Sequence, residues 1–230
     1  MKCLYCQSGC KKAGKQTNGS QKYCCLSCGK YQQKKYVYRG SKQGITREIV
    51  RHVQRGCGIR DIAYLLEIST TTVIQRIRRV GKELKREEDF RPGLSYEMDE
   101  LYTYIGRKSN PCWVMYVLER KSRRIVDFRV GSRTTFHLKD LVEGLKRFSV
   151  KRIYTDFLNI YPGIINSSIH RPGRYLTNYI ERMNLTLRTH LKRLSRRSIC
   201  YSKQKDMLEN CLRIYFYSRS FCVRDGSESA

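Results

Sequence analysis

Acidic residues are scarce in this chain: 20 Asp and Glu stand against 47 Lys and Arg, leaving a formal net charge of +27. Solubility alone does not ask for such an excess, and the expected partner is a polyanion. Nucleic acid leads because the charge runs through every segment. Long apolar runs are also missing. No stretch reaches the roughly 18 residues of a membrane span, and the first residues carry no signal-peptide core, which argues against a membrane partner. A soluble cytoplasmic protein is expected. Proline occurs only four times, at Pro92, Pro111, Pro162 and Pro172, each in a stretch that reads as a turn or break. The single tryptophan, Trp113, is most simply a core residue of a strand.

Cysteine is plentiful by contrast. Six of the 11 cysteines fall within the first 28 residues, which fits reduced thiols around a local metal better than secreted disulfides. Cys3-x2-Cys6 and Cys25-x2-Cys28 are separated by 18 residues, inside the roughly 15 to 20 expected of two knuckles closing a four-cysteine Zn2+ site. Cys10 and Cys24 are left over. Lys30, Lys34, Lys35 and Arg39 then alternate with Tyr31, Tyr36 and Tyr38, a pattern suited to backbone contact and stacking on nucleic acid, or to a solvated hairpin.

With 230 residues the chain has room for one medium domain with smaller appendages. A zinc ribbon is expected over 1–40. Over 45–82 three short helices are predicted: one with Ile49, Val50 and Val53 inward, one from Ile59 with Ile62, Ala63, Leu65 and Leu66 inward, and one over 70–81 with Val73, Ile74 and Ile77 inward. The last two, joined by Glu67-Ile68-Ser69, form a helix-turn-helix pattern. Thr71, Thr72, Gln75, Arg76 and Arg79 would line its DNA-facing side, the early residues toward base edges and the arginines toward phosphates. A linker over 83–93 follows, then an α/β domain over 94–218 and a flexible tail over 219–230.

Within 94–218 the pattern predicts three antiparallel strands, 94–106, 112–118 and 124–130, a helix from Thr134 or Thr135, and a fourth strand over 151–155. A strand reached through a helix can lie parallel beside the first, which brings Asp99 and Asp156 onto neighbouring strands. From Leu176 the apolar positions Ile180, Met183, Leu187, Leu191 and Leu194 recur at helical spacing, with Glu181 at the border of that stripe and Arg188 near the same face. His190 on this helix is a candidate for substrate contact or for a structural role. Asp99, within a largely apolar strand, is costly without a ligand or partner. Asp99, Asp156 and Glu181 together would supply the hard oxygens that Mg2+ or Mn2+ prefers, and two such ions can serve an in-line phosphoryl transfer. A closing helix is predicted over 203–217.

Met98-Asp99-Glu100 with Tyr104-Ile105-Gly106, Tyr154-Thr155-Asp156, Ile180-Glu181-Arg182 with Asn184, and Leu187 to Leu194 resemble the DDE transposases of the insertion-sequence-one family, as do the zinc ribbon, the helix-turn-helix and Ser198 to Ser202. The 24 residues between Asp156 and Glu181 suit that family's short insertion. Many members are made by frameshifting, whereas this chain is one continuous frame. The resemblance implies a ribonuclease-H-like catalytic domain with Asp99, Asp156 and Glu181 as its metal triad and Arg188 as the basic position downstream. It implies a structural Zn2+, catalytic Mg2+ or Mn2+, double-stranded DNA as partner, with Lys34, Lys35, Lys192 and Arg193 among the DNA contacts, and a homo-oligomer on that DNA. Cleavage at the element's terminal repeats and strand transfer to a target would follow. The rival from another class is a non-catalytic DNA-binding regulator of the same element.

Overall fold

The computed structural model describes residues 1–85 and 92–218. Residues 86–91 of the expected linker and the expected tail over 219–230 lie outside the described residues. Two sheets and six α-helices make up the described chain.

The first sheet is small and antiparallel, in the order β1 (Cys10–Lys15), β2 (Gln21–Cys25), β3 (Tyr31–Gln33). It carries one knuckle before β1 and the other between β2 and β3, so pairing of Cys10 with Cys25 brings the knuckles to one end.

Three helices follow: α1 (Ile45–Gln54), α2 (Ile59–Leu66) and α3 (Thr70–Glu83). Gly44 opens α1 at φ 85°, a left-handed conformation that suits glycine. Glu67 ends α2 at φ 50°, and Ser69 then caps α3 by accepting the Thr72 N–H at 3.1 Å, worth about 1 kcal/mol. Ile49, Val50, Val53, Ile62, Val73 and Ile77 fill the bundle's centre. That core is shared: Met207, Cys211 and Ile214 of the last helix, α6 (Lys205–Tyr217), are buried in it.

The second sheet has five strands in the order β6 (Ile125–Gly131), β5 (Pro111–Glu119), β4 (Ser95–Tyr104), β7 (Arg152–Thr155), β8 (His170–Pro172). β4, β5 and β6 form the expected antiparallel meander, α4 (Thr135–Lys146) crosses over, and β7 pairs parallel to β4. β8, where the sequence reads as a broken loop around Pro172, adds a second parallel strand at the edge. Its proline is tolerated there because an edge strand leaves one ladder side unused. Alternation along β4 sends Tyr96 and Met98 into a core with α4, and Leu101 into a core with α5 (Asn178–His190) and α6.

α5 is shorter than its apolar spacing suggests. Leu176 lies before it and is partly exposed, while Leu191 is extended and Leu194 is buried through a short 3-10 turn. Trp113 is half-buried rather than internal: it meets Tyr102 edge-on at 5.1 Å and carries Arg133 over its ring at 4.4 Å.

Candidate active site

β7 stops at Thr155, and its pairing with β4 ends at Glu97 opposite Tyr154. Beyond that point no strand among the described residues pairs with β4 on this side. Asp99 and Glu100 belong to opposite faces of the sheet, yet both can reach around the open edge toward Asp156. Carboxylate oxygens of Asp99, Glu100 and Asp156 all lie within 4.8 Å of one another. A trio of like charges this close is unfavourable without a cation, and hard oxygens at this spacing suit Mg2+ or Mn2+.

Each carboxylate is oriented by named donors. Asp99 accepts the Glu100 N–H at 2.7 Å and the Asn184 side-chain amide at 2.6 Å, and Tyr116, opposite Asp99 on β5, donates to the Asn184 carbonyl oxygen at 2.8 Å. Glu100 accepts the Tyr161 hydroxyl at 2.5 Å. Asp156 accepts the Leu158 N–H at 3.0 Å, which folds the loop after β7. Burial pushes Asp99 up to about 6, against the pull of the Glu100 N–H and Asn184, with the charges of Asp156 and Glu181 adding to the rise. Burial likewise pushes Glu100 up to about 7, opposed by Tyr161 and reinforced by Asp99 and Asp156.

Glu181 does not join the trio. It stands exposed on the first turn of α5, takes the Thr177 hydroxyl at 3.0 Å, and acts on Asp99 through its charge. Glu100, which has no role in the expected triad, takes the third place. The signal was available: a second carboxylate in the same largely apolar strand has the same need for a partner.

Arg188 points elsewhere. Its guanidinium donates to the Leu194 carbonyl at 3.0 Å and the Tyr102 carbonyl at 3.4 Å, pinning the turn after α5 to the end of β4. His190 is 2.7 Å from the Tyr215 hydroxyl, a packing role between α5 and α6.

The four sulfurs of Cys3, Cys6, Cys25 and Cys28 also lie within 4.8 Å of one another, with Cys3 to Cys28 at 3.6 Å and Cys6 to Cys25 at 3.4 Å. Tetrahedral Zn2+ with bonds of about 2.3 Å would set such sulfurs about 3.8 Å apart, so the donor set fits that ion. The Ser8 N–H, then its hydroxyl and the Cys25 thiol, hold Cys6 down at about 6.

On α3, Thr71, Gln75 and Arg79 are exposed along one face. Thr72 and Arg76 are half-buried: the Tyr38 hydroxyl is 2.8 Å from the Thr72 hydroxyl, and Arg76 donates to the Gly40 carbonyl at 3.3 Å. Lys34, Lys35 and Lys192 are exposed, while Arg193 is half-buried and donates to Ser202 at 3.0 Å.

Residues 94–222 match the family model described as IS1 transposase, a stretch that contains every carboxylate described above. The chain belongs to the IS1 transposase family. The insertion element iso-IS1n protein InsB of Shigella dysenteriae is 30% identical over 125 residues, covering 54% of this chain and 95% of that protein. The insertion element IS1 protein InsB of Shigella flexneri is 35% identical over 119 residues, covering 52% and 91%. The insertion element IS1 4 protein InsB of Escherichia coli (strain K12) is 34% identical over 119 residues, covering 52% and 71%.

Proposed function

We propose that this transposase cuts DNA at the terminal repeats of its insertion sequence and joins the freed ends to a target, using Asp99, Asp156 and Glu181 as a divalent-metal triad. The observation that carries this is the convergence of Asp99 and Asp156 from neighbouring strands, with Glu181 on α5 near enough for its charge to act on Asp99. Mg2+ or Mn2+ held there would stabilise the charge that develops on the attacking and leaving oxygens of a phosphodiester. The residues supply the rest: Asn184 and the Glu100 N–H aim Asp99, Leu158 aims Asp156, and Thr177 aims Glu181. Glu181 would complete the set when DNA and metal enter.

The strand order, with three antiparallel strands followed across a helix by two parallel ones, supports a ribonuclease-H-like catalytic domain over 94–218. The capped α3 with exposed Thr71, Gln75 and Arg79 supports a helix-turn-helix over 45–82, and the four sulfurs support a zinc ribbon over 1–40. These N-terminal parts would hold the repeats, with Lys34, Lys35, Lys192 and Arg193 on the phosphate backbone, and affinity would fall steeply with salt. Arg188 serves this site by holding the turn that carries Lys192 and Arg193. A homo-oligomer would bring two ends together.

The test is Mg2+-dependent joining of a duplex ending in the repeats that flank the gene. Joined product is expected from the wild type and none from Asp156→Asn or Glu181→Ala at unchanged DNA binding. End binding without joining in the wild type would instead make the chain a DNA-binding regulator.

A further inference from the structure

Two rings on the loops that follow β7 and β8 are largely exposed. Phe157, the residue after Asp156, is 68% exposed, and Tyr175 is 77% exposed. Neither packs on an aromatic ring or a cation among the described residues. A lone exposed apolar residue is ordinary on a protein surface. Two rings on adjacent loops at a hard-oxygen cluster are a different matter.

The topology brings their two loops out at the same end of the sheet. β7 and β8 are parallel neighbours, with Thr155 opposite Pro172. Asp156 and Phe157 leave the end of one strand, and Gly173 to Leu176 leave the same end of the other. The Gly173 N–H donates to the Thr155 carbonyl at 3.0 Å, and the Leu176 N–H closes the turn on Gly173 at 3.2 Å. Arg174, exposed beside Tyr175, adds positive charge, and Arg182 is exposed next to Glu181.

We propose that Phe157 and Tyr175 form a stacking platform for an unpaired nucleobase at the DNA end whose phosphate the carboxylate site acts on. This rests on the strand-joining function proposed above. Inside a duplex both faces of a base are covered, so a protein ring can take one only if the base is unpaired. Opening is least costly at an end. Rings accept any base, because every base has a π face, which suits a platform that need not read sequence. The neighbouring arginines are placed for the backbone of the same nucleotides.

The test uses the full chain, Ca2+ in place of Mg2+, and a repeat-ended duplex carrying 2-aminopurine either at the terminal position or well inside. Binding of the wild type should change the emission of the terminal probe alone. Phe157→Ala with Tyr175→Ala should abolish that change and slow joining in Mg2+ roughly tenfold, at an unchanged melting temperature, whereas Phe157→Trp with Tyr175→Trp should keep both. A silent terminal probe with a wild type that joins ends, or an alanine pair that joins at the wild-type rate, overturns the platform and leaves the function standing. So does an alanine pair that alters only the oligomeric state of the DNA-free chain, which would assign the rings to an interface between copies. A wild type that joins nothing overturns the function and the platform with it.

Discussion

The carboxylate of Glu97, wholly buried near the start of β4, accepts the backbone N–H of Ile180 at 2.8 Å in the first turn of α5. It therefore caps from a distance the helix that carries Glu181, two residues along the strand from Asp99. Its other oxygen is 3.0 Å from the Arg120 guanidinium, which lies over the Tyr154 ring at 4.1 Å. Burial raises the Glu97 pKa, with the Ile180 N–H and Arg120 pulling against it. One side chain thus fixes the spacing between two candidate ligand-bearing elements.

Glu97→Ala should accordingly destabilise the fold by about 3–5 kcal/mol, since it breaks a buried pair and frees an orphan N–H. Glu97→Gln keeps an acceptor for Ile180 and loses only the charge, so a smaller stability loss is expected. If Glu97 acts by placing Glu181, the Gln variant should fold, bind ends and join them with a lowered kcat at little changed KM. Urea melts and joining kinetics measure both, and a Gln variant with wild-type kcat would leave Glu97 a purely structural residue.

Asp99 and Glu100, held up at about 6 and about 7, predict how stability responds to pH. Both bind their protons more tightly folded than unfolded. As pH rises from about 4 to 7 the metal-free fold must give up those protons and leave a crowded, half-buried trio charged, and its stability falls, on the order of 3 kcal/mol per group before coupling. A divalent cation binds the ionised form. The rise in melting temperature on adding Mg2+ should therefore be small at pH 5 and large at pH 8, and Asp99→Asn should remove most of it. A shift of equal size at both pH values would place the ion elsewhere.

Much of this arrangement was legible in the sequence, for identifiable reasons. Knuckle spacing marked Cys3, Cys6, Cys25 and Cys28, and the rule that a helix crossover returns a parallel strand put Asp156 beside Asp99. What escaped depends on contacts between segments remote in sequence. Glu100 was passed over because strand alternation assigns it to the face opposite Asp99, and only the early end of β7 lets both reach the same place. Thr72 and Arg76 read as free helix-face residues until Tyr38 and Gly40 of the preceding segment fold against them. Arg188 has the right helical phase to face a phosphate, but two backbone carbonyls claim it. Leu176 continued the period of α5 without belonging to it, since the helix begins only after Thr177.

The docking of the three-helix bundle on the rest of the chain turns on two glycines. Gly56, at φ 76°, lies where a Cβ would collide with the His190 carbonyl oxygen at the end of α5, and a Cβ at Gly81 would collide with the Asn210 side chain on α6. Around them Arg78 reaches Asp206 at 2.8 Å and Gln54 reaches Ser218 at 2.7 Å. Gly81→Leu should separate the bundle from α6 and expose Met207, Cys211 and Ile214, with a stability loss of about 2–4 kcal/mol. Faster thiol labelling of Cys211 at native pH reports the separation. Unchanged labelling would mean that the interface absorbs the added side chain.

The four-cysteine site predicts an effect confined to one end of the molecule. The small sheet of β1, β2 and β3 has little apolar core of its own, with Cys3 and Cys25 the buried hydrophobic residues within it. Without a cation its four sulfurs are joined only by weak thiol contacts, Cys3 to Cys28 and Cys6 to Cys25, and small sheets of this size depend on a metal cross-link. Chelation, or Cys6→Ser, should unfold residues 1–40 and leave the five-stranded sheet protected from hydrogen exchange, because the contacts of β4 to β8 do not pass through the ribbon. One bound Zn2+ per chain by metal analysis, lost in Cys6→Ser, is the expected stoichiometry. Loss of protection throughout the chain on chelation would show instead that the ribbon supports the fold of the carboxylate site.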